Sequence, residues 1–430
     1  MNFKDIKNIN IPEGVVSKIT TLEGVVLWER VNDYIFEMLY TTTDGKIVNP
    51  SGIASSYTLI SNTYKNSVGN FKFRINDAKI PSYLFYDKDT LTSITIPEGI
   101  IEIGGTAFSS CNYLSTINFP STLKIINNSA FQSISVASIS LPNGFEKIGD
   151  SAFENSSISN INIPDSTKYI GIRALYNTAY LSYLTLPKDL EYIGFLALPR
   201  NKSIYTNSTR FLIKNNCLID NQENKLIEGL KNTSNYIYNI PDSITTLGQQ
   251  CFRECNKIQE IVIPDTVNQV EGGIFNSCTS LSSVTLSKNI TTLSEGFFAG
   301  CTALTNFVIP DTILEIGEAV FNGCTNLTSI TLNNNIQNIK YQCFRDCRAL
   351  STIEIPQSVE YIESSAFTNC RKLRTITSLN LIAPRIENNT FYNVGIDISS
   401  DKILYVPQNA IGYDVWLENL PDGFTIEYIE

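Results

Sequence analysis

The chain has 430 residues, and its 32 Lys and Arg against 42 Asp and Glu give a formal net charge of −10. This negative balance, without a basic run or stripe, argues against binding to the phosphates of nucleic acid. The sequence contains no histidine, which excludes Ser–His–Asp and Cys–His catalysis and most zinc or iron sites. No stretch approaches the roughly 18 apolar residues of a membrane-spanning helix, so we predict no membrane insertion.

The N-terminal segment lacks the marks of an export signal. Lys4, Asp5 and Lys7 lie among polar residues, and no uninterrupted apolar core follows them. A secretory signal needs such a core. We therefore expect that the chain, if complete, does not leave the cell by the ordinary export pathway; a chain whose signal has been removed would look the same.

A phenylalanine returns every 23 residues in the second half of the chain. A fixed period of this length predicts a solenoid, in which one chain winds into stacked and similar coils. Earlier coils keep nearly the same spacing, and two of them have Leu at this place, so we expect eleven coils. Their large buried residues are predicted to be Phe108, Phe131, Phe153, Leu175, Leu198, Phe252, Phe275, Phe298, Phe321, Phe344 and Phe367.

The residues from Leu304 to Cys324 show what one coil contains. The run Leu304–Ile309 alternates apolar and polar residues, which predicts a half-buried strand. Pro310 follows and should end the strand pairing, because proline has no backbone donor. Gly317 is predicted to sit at a bend of low steric cost. Phe321 is then the large apolar residue of the coil.

Ten cysteines raise the question of a metal site or disulfides. Seven of them occupy one column of the repeat, whereas Cys251 and Cys343 occupy the small-residue place beside the phenylalanine. Two C-x-x-x-C pairs lie four coils apart, roughly 19 Å at about 4.8 Å per coil, which is too far to share a zinc ion. We therefore predict a ladder of reduced, buried cysteines and no metal. The seven are Cys111, Cys255, Cys278, Cys301, Cys324, Cys347 and Cys370.

This repeat is similar to the BspA-like, or Treponema-type, leucine-rich repeat. The family pattern places cysteine, leucine, isoleucine, proline, glycine and phenylalanine at fixed distances, and Val320 is here in place of the usual alanine. The resemblance implies a mainly β, leucine-rich-repeat solenoid of about 23-residue coils, with a hairpin insert and terminal caps. It is carried by Cys301, Leu304, Phe307, Ile309, Pro310, Ile313, Ile316, Gly317, Val320 and Phe321.

Other segments resemble the flanking parts of such proteins. Tyr40–Val48 is similar to the start of the array, Phe211–Leu230 to its hairpin insert, and Leu404–Pro407 with Tyr413 and Trp416 to its exit segment. The resemblance implies the following division: a β docking module (1–33), an N-terminal cap (34–90), a first block of repeats (91–198), a hairpin insert (199–238), a second block (239–376) and a C-terminal cap (377–430).

Short polar side chains precede each repeat proline and form the candidate ligand-facing surface. In one interpretation they only tolerate exposure and form cross-strand ladders. In the other they bind a protein or a glycan, since repeat proteins use such extended surfaces for recognition. Tyr183 and Tyr361 could stack on a sugar ring or merely pack at the rim. The candidates are Thr116, Asn118, Tyr183, Ser283, Thr285, Thr305, Asn306, Thr328, Thr331, Thr352, Glu354 and Tyr361.

The segment from Ile9 to Arg30 resembles a short β module at the start of phage and prophage structural proteins. The resemblance is carried by Ile19, Gly24, Val26, Leu27 and Trp28. It implies that Ile19, Val26, Leu27 and Trp28 dock the chain onto other virion proteins. The alternative is a β cap that protects the first coil.

These observations favour a non-enzymatic recognition or structural protein of a bacteriophage virion, such as a fibre, appendage or decoration. The alternative is a BspA-like adhesin on a bacterial cell surface. A polysaccharide-active enzyme is the less favoured hypothesis, because the carboxylates are scattered and no catalytic pair can be assigned. The expected partner is a bacterial surface protein or glycan. We predict no cofactor, and a homo-oligomer is compatible with the sequence, although no heptad segment would drive it.

Overall fold

The computed structural model describes residues 18–20, 26–29, 34–51, 57–75, 77–199, 202–230 and 238–430. The chain divides into two compact units, one of residues 1–182 with 189–200 and one of residues 183–188 with 201–430. Both are β-solenoids with coils of about 23 residues, about 15 turns in all, which confirms the predicted fold class. No helix in the described ranges is long and apolar enough to cross a membrane.

Among the described residues, five strands of the first unit precede the repeats, and a sixth pairs in parallel with the post-proline strands. The first two form an antiparallel hairpin in which Ile19 lies opposite Trp28. The third to fifth strands are long and antiparallel, and their buried aromatic residues, such as Tyr40 and Phe71, lie at the N-terminal end of the first unit's core. The strands are β1 (Lys18–Thr20), β2 (Val26–Glu29), β3 (Tyr34–Thr42), β4 (Thr58–Lys65), β5 (Val68–Ile75) and β6 (Lys79–Ile80).

In the next block each coil contributes one strand before the repeat proline and a two-residue strand after it. Odd-numbered strands from β7 to β15 are the pre-proline strands, and β15 belongs to the second unit. The strands are β7 (Leu91–Thr95), β8 (Glu102–Ile103), β9 (Thr116–Asn118), β10 (Ile125–Ile126), β11 (Ser138–Ser140), β12 (Lys147–Ile148), β13 (Asn160–Asn162), β14 (Tyr169–Ile170), β15 (Tyr183–Leu186) and β16 (Tyr192–Ile193).

Parallel pairing between successive coils builds the sheets of the first unit. The post-proline strands form one six-stranded sheet in the order β16-β14-β12-β10-β8-β6. A five-stranded sheet has the order β4-β5-β3-β7-β9, so the antiparallel cap continues directly into the pre-proline strands. This arrangement gives the first coil a paired neighbour on its N-terminal side.

In the second unit β15 and β17 are followed by three antiparallel strands, β18 to β20, that form two consecutive hairpins. Its C-terminal end contains the one helix of the described residues. Between β21 and β33, the odd-numbered strands follow the repeat proline and the even-numbered strands precede it. The elements are β17 (Ser203–Thr206), β18 (Phe211–Lys214), β19 (Cys217–Asp220), β20 (Lys225–Gly229), β21 (Thr246–Leu247), β22 (Glu260–Val262), β23 (Gln269–Val270), β24 (Ser283–Thr285), β25 (Thr292–Leu293), β26 (Asn306–Val308), β27 (Glu315–Ile316), β28 (Ser329–Thr331), β29 (Asn338–Ile339), β30 (Thr352–Ile355), β31 (Tyr361–Ile362), β32 (Thr375–Ser378), β33 (Arg385–Ile386), β34 (Lys402–Pro407), α1 (Asp414–Asn419) and β35 (Phe424–Ile429).

The core of each unit contains a column of stacked phenylalanine rings. In the second unit the centroids of Phe298 and Phe321 lie 5.5 Å apart, and those of Phe321 and Phe344 lie 5.6 Å apart. The prediction of eleven coils, each with one large residue in this column, was too low. Phe85 stacks on Phe108 in the first unit, and Phe391 stacks on Phe367 in the second. Both belong to coils whose other repeat residues depart from the pattern.

The C-terminal end of the second unit is closed by an aromatic residue of α1. Trp416 lies 5.2 Å from the ring centroid of Phe391, and its indole N–H donates to the carbonyl of Pro384 at 2.9 Å. The hydroxyl of Tyr413 donates to Ser378 Oγ at 2.6 Å. The last phenylalanine therefore has an aromatic neighbour that is not part of the repeat.

The recurring glycine has a different role from the one expected. The φ angle of Gly317 is not positive, so the bend does not require glycine for its backbone conformation. A Cβ atom at Gly317 would instead lie 2.7 Å from the nitrogen of Glu295 and 2.9 Å from the oxygen of Leu293. Glycine is needed because the backbones of successive coils approach closely here. The left-handed position is two residues later, at Ala319, with φ of 53°.

We predict that Gly317→Ala lowers the free energy of unfolding by about 3 kcal/mol, because the new methyl group overlaps backbone atoms that cannot rotate away. The matched control is Gly272→Ala, since a Cβ there would meet nothing closer than 3.5 Å. It should stay within about 1 kcal/mol of the wild type. Urea denaturation followed by circular dichroism measures both. Equal losses for the two variants would contradict the close-approach explanation.

Candidate functional site

The pre-proline strands of the second unit place six of the twelve candidate residues in two parallel columns. Alternate residues of these strands are buried, and the residues between them point outward. Glu260 lies opposite Ser283, and Asn306 lies opposite Ser329. We call this set the outward columns. It consists of Glu260, Val262, Ser283, Thr285, Asn306, Val308, Ser329, Thr331, Thr352, Glu354, Thr375 and Thr377.

In β9, β11 and β13 of the first unit the equivalent positions are also exposed. Thr116 and Asn118 point outward from β9, and Asn118 Nδ2 donates to Thr95 Oγ1 at 3.0 Å. The residues in the next two pre-proline strands were not among the candidates predicted from the sequence. The signal was present, because the same short polar residues stand before Pro142 and Pro164. These residues are Ser138, Ser140, Asn160 and Asn162.

Thr305 and Thr328 lie outside the outward columns, one residue before their strands. The hydroxyl and the N–H of Thr328 both donate to the carbonyl of Thr305, the former at 2.8 Å. Other hydroxyls at this place make the same bond to the preceding coil, for example Ser282 to Gln259 at 3.1 Å. This column therefore joins coils to each other, as the stabilising interpretation expects.

Tyr361 lies in a different ladder from Tyr183. It belongs to the post-proline strand β31, where Arg385 lies in register beside it. Its hydroxyl donates to Glu387 Oε1, and the Arg385 guanidinium lies 5.6 Å from its ring centroid. The hydrogen bond to Glu387 raises the pKa of the Tyr361 phenol. Tyr361 is thus tied to its neighbours and does not interrupt the polar columns.

Tyr183 has an aromatic neighbour that the sequence analysis missed. It lies in β15, which pairs in parallel with β17, and Tyr205 of β17 is diagonal to it. The two side chains are 50% and 57% exposed, and their ring centroids lie 6.4 Å apart at an interplanar angle of 68°. Tyr205 stands in a coil without the repeat proline, so the repeat pattern gave no signal for it.

Several carboxylates cap backbone N–H groups of a neighbouring coil. Glu98 accepts from the N–H of Ser121 at 2.9 Å, and Asp265 accepts from the N–H of Lys288 at 3.0 Å. These bonds hold the pKa values of Glu98 and Asp265 below their ordinary range. A general acid of a glycosidase needs the opposite displacement, towards a raised pKa. These carboxylates therefore have a structural explanation.

The cysteines form hydrogen bonds within the core. The thiol of Cys324 donates to the carbonyl of Phe298 in the preceding coil at 3.2 Å, and that of Cys347 donates to the carbonyl of Phe321 at 3.1 Å. Ser156 stands at the same place and makes the equivalent bond to Phe131 at 2.9 Å. The column is thus a hydrogen-bonded ladder as well as an apolar one.

All ten cysteines are buried and free of disulfides. Burial raises the pKa of Cys111, Cys217 and Cys324 to about 12. A thiol with so high a pKa is a poor nucleophile and a poor metal ligand, because both roles require the thiolate. Within the described parts of the chain, no group of three or more Cys, Asp or Glu residues could hold a metal ion.

The capping carboxylates predict loss of stability in acid. A carboxylate whose pKa is lowered in the folded state stabilises it above the unfolded pKa of about 4.3, and this contribution disappears as the pH falls through the lowered value. We expect wild type to melt at a higher temperature than Glu98→Gln at pH 7, with the difference shrinking towards pH 3. Melting temperatures measured by calorimetry across this range test the prediction.

Glu427→Gln is the control, since Glu427 is exposed and its carboxylate accepts no hydrogen bond from the described residues. Its melting temperature should follow that of the wild type at every pH. A difference between wild type and Glu98→Gln that stays constant from pH 7 to pH 3 would contradict the capping role.

The sequence matches the BspA type leucine rich repeat region in 6 copies, over residues 78–205, 228–310 and 296–410. No curated protein sequence matches it. Among solved structures, a leucine rich cell surface protein of Faecalibacterium prausnitzii A2-165 is 25% identical, with a TM-score of 0.54 over 74% of this chain and 86% of that one.

Two further structures share the fold at lower sequence identity. The pneumococcal vaccine antigen PcpA is 20% identical, with a TM-score of 0.62 over 90% of this chain and 99% of that one. A leucine-rich repeat protein of Eubacterium ventriosum is 21% identical, with a TM-score of 0.51 over 68% and 80%. Because the repeat matches extend over more than half of its residues, this chain belongs to the BspA-type leucine-rich repeat family.

Proposed function

We propose that this chain is a non-catalytic recognition protein on a bacterial cell surface, and that the outward columns of its second unit contact a protein or glycan. Repeat proteins bind partners through the extended surfaces that stacking creates. Support for the location comes from the similarity to the Faecalibacterium prausnitzii protein, which is described as a cell surface protein. The earlier preference for a virion protein is therefore placed second.

The observation that carries the proposal is the exposure and the hydrogen bonding of the polar side chains in the outward columns. Ser283, Asn306 and Thr331 are exposed, and across the described residues of the second unit no side-chain hydrogen bond joins the Ser, Thr and Asn of these columns from coil to coil. The column of Thr305 and Thr328 next to them does make such bonds. Asn306 Nδ2 donates to Thr305 Oγ1 of its own coil at 3.3 Å. The hydroxyl groups of the outward columns and the amide oxygen of Asn306 therefore remain available to a ligand.

The composition of the outward columns indicates what kind of partner they would suit. Most members are neutral and short, with charges only at Glu260 and Glu354, and the side chains of Val262 and Val308 are 63% and 67% exposed. Such a surface combines hydrogen-bonding groups with small apolar contacts. A neutral partner matches it better than an anionic one, given the net charge of −10.

A virion appendage is the second candidate, and one observation favours it. The segment that resembles a phage module contains the antiparallel hairpin of β1 and β2. The hairpin includes Ile19, Val26, Leu27 and Trp28, four of the five residues on which that resemblance rests, and Gly24 lies outside the described residues. In this alternative the hairpin would hold the chain on the particle, and the outward columns would face a bacterial surface.

Surface labelling of the producing strain tests the proposal. We expect a membrane-impermeant biotin reagent to label this chain on washed, intact cells, with a ribosomal protein unlabelled as the control for lysis. Density-purified phage particles from the same culture should lack the chain by peptide mass spectrometry. Presence in particles at the level of minor structural proteins, without surface label, would favour the virion candidate. Recovery from the cytosol alone would contradict both.

A further inference from the structure

The paired strands β15 and β17 display a small aromatic surface on the second unit. Tyr183 lies opposite Ser203 and Thr185 lies opposite Tyr205 in the parallel register. The four residues form a tile in which each ring has a hydroxyl side chain beside it. We call Tyr183, Thr185, Ser203 and Tyr205 the tyrosine tile. Thr185 and Ser203 are half-buried, whereas both rings are exposed.

The two rings of the tyrosine tile are not used to stabilise the core. About half of each side chain faces solvent, and the rings meet each other edge to face at 6.4 Å. An edge-to-face pair leaves most of the ring faces uncovered. The pre-proline strands β22, β24, β26, β28, β30 and β32 carry no tyrosine in the outward columns. The tile is thus a local concentration of exposed aromatic surface on otherwise polar strands.

The chemistry of the tile narrows the class of ligand. None of its four side chains carries a formal charge at neutral pH, and the chain as a whole is negative. A phosphate-bearing or sulfated ligand would find no countercharge in the tile. A ligand with flat C–H faces and hydroxyl groups at its edges matches a surface that alternates rings with hydroxyls. Sugar rings have this combination.

A protein partner fits the tile less well. Specific protein interfaces bury roughly 1,200–2,000 Å² and are centred on aromatic or Arg anchors that fill well-packed pockets. The residues beside the rings are short hydroxyl side chains, and Tyr183 and Tyr205 are exposed side chains rather than the lining of a pocket. A single sugar needs only one ring face and a few hydrogen bonds.

We propose that the tyrosine tile binds neutral saccharides. Tyr183 and Tyr205 each stack on a sugar ring, and the Thr185 hydroxyl forms hydrogen bonds with hydroxyl groups of the saccharide. This inference rests on the proposed recognition function and gives its ligand a chemical class. Tyr is well suited to the role because it offers large, rigid contact area with only two side-chain torsions to fix.

The experiment uses the full chain on an array of neutral hexose and N-acetylhexosamine oligosaccharides, printed beside their sialylated and sulfated counterparts. We expect binding to neutral glycans. The strongest of these is then titrated by calorimetry. Tyr183→Ala and Tyr205→Ala should each weaken its affinity about tenfold, the loss typical of an anchor residue. Tyr183→Phe and Tyr205→Phe retain the rings and should stay within about threefold of wild type.

Tyr428→Ala is the matched control, because Tyr428 is 64% exposed in the same unit but lies in β35, away from β15 and β17 in the sequence of strands. It should bind as the wild type does, and the melting temperatures of all variants should agree. Binding of anionic glycans only, binding of no glycan, or unchanged affinity in both alanine variants would overturn the inference. If the chain is labelled on cells but binds no neutral glycan, the proposed saccharide site is wrong and the proposed cell-surface function still stands.

Discussion

The stacking of phenylalanine rings between successive coils is the contact on which the rest of the structure depends. Neighbouring rings in the second unit lie 5.3–5.9 Å apart and are fully buried. No single coil can bury such a ring alone, so each coil is stable only next to another. Trp416 supplies the missing neighbour for Phe391 at the end of the second unit. The close approach at Gly317 follows from the same requirement for tight stacking.

This packing also accounts for most groups that could have been reactive. The Cys324 thiol is used to bond a phenylalanine carbonyl, and the Glu98 carboxylate is used to cap the N–H of Ser121. Each bond crosses from one coil to its neighbour. Among the described residues of the second unit, the neutral polar side chains of the outward columns make no such hydrogen bond from coil to coil. The proposed recognition function therefore uses side chains that do not hold one coil to the next.

The period of 23 residues was sufficient to predict the solenoid, because a regular core leaves a regular mark on the sequence. The same regularity predicted that Ser283 and Thr352 would be exposed. The repeat pattern did not predict the position of Tyr361. Each coil has a pre-proline and a post-proline strand, both with exposed residues, and the pattern does not show which of the two strands contains a given tyrosine. Tyr205 was missed because its coil lacks the repeat proline. The role of Gly317 depends on a distance between coils that no local pattern encodes.

Urea unfolding of two variants tests the division between a stabilising core and a surface free for recognition most directly. Phe321→Ala should lose about 3–5 kcal/mol of unfolding free energy, because it opens a gap in the ring column. The triple variant Ser283→Ala, Asn306→Ala, Thr331→Ala should stay within about 1 kcal/mol of the wild type. A triple variant as unstable as Phe321→Ala would show that the outward columns hold the fold together, and the case for a recognition surface would be lost.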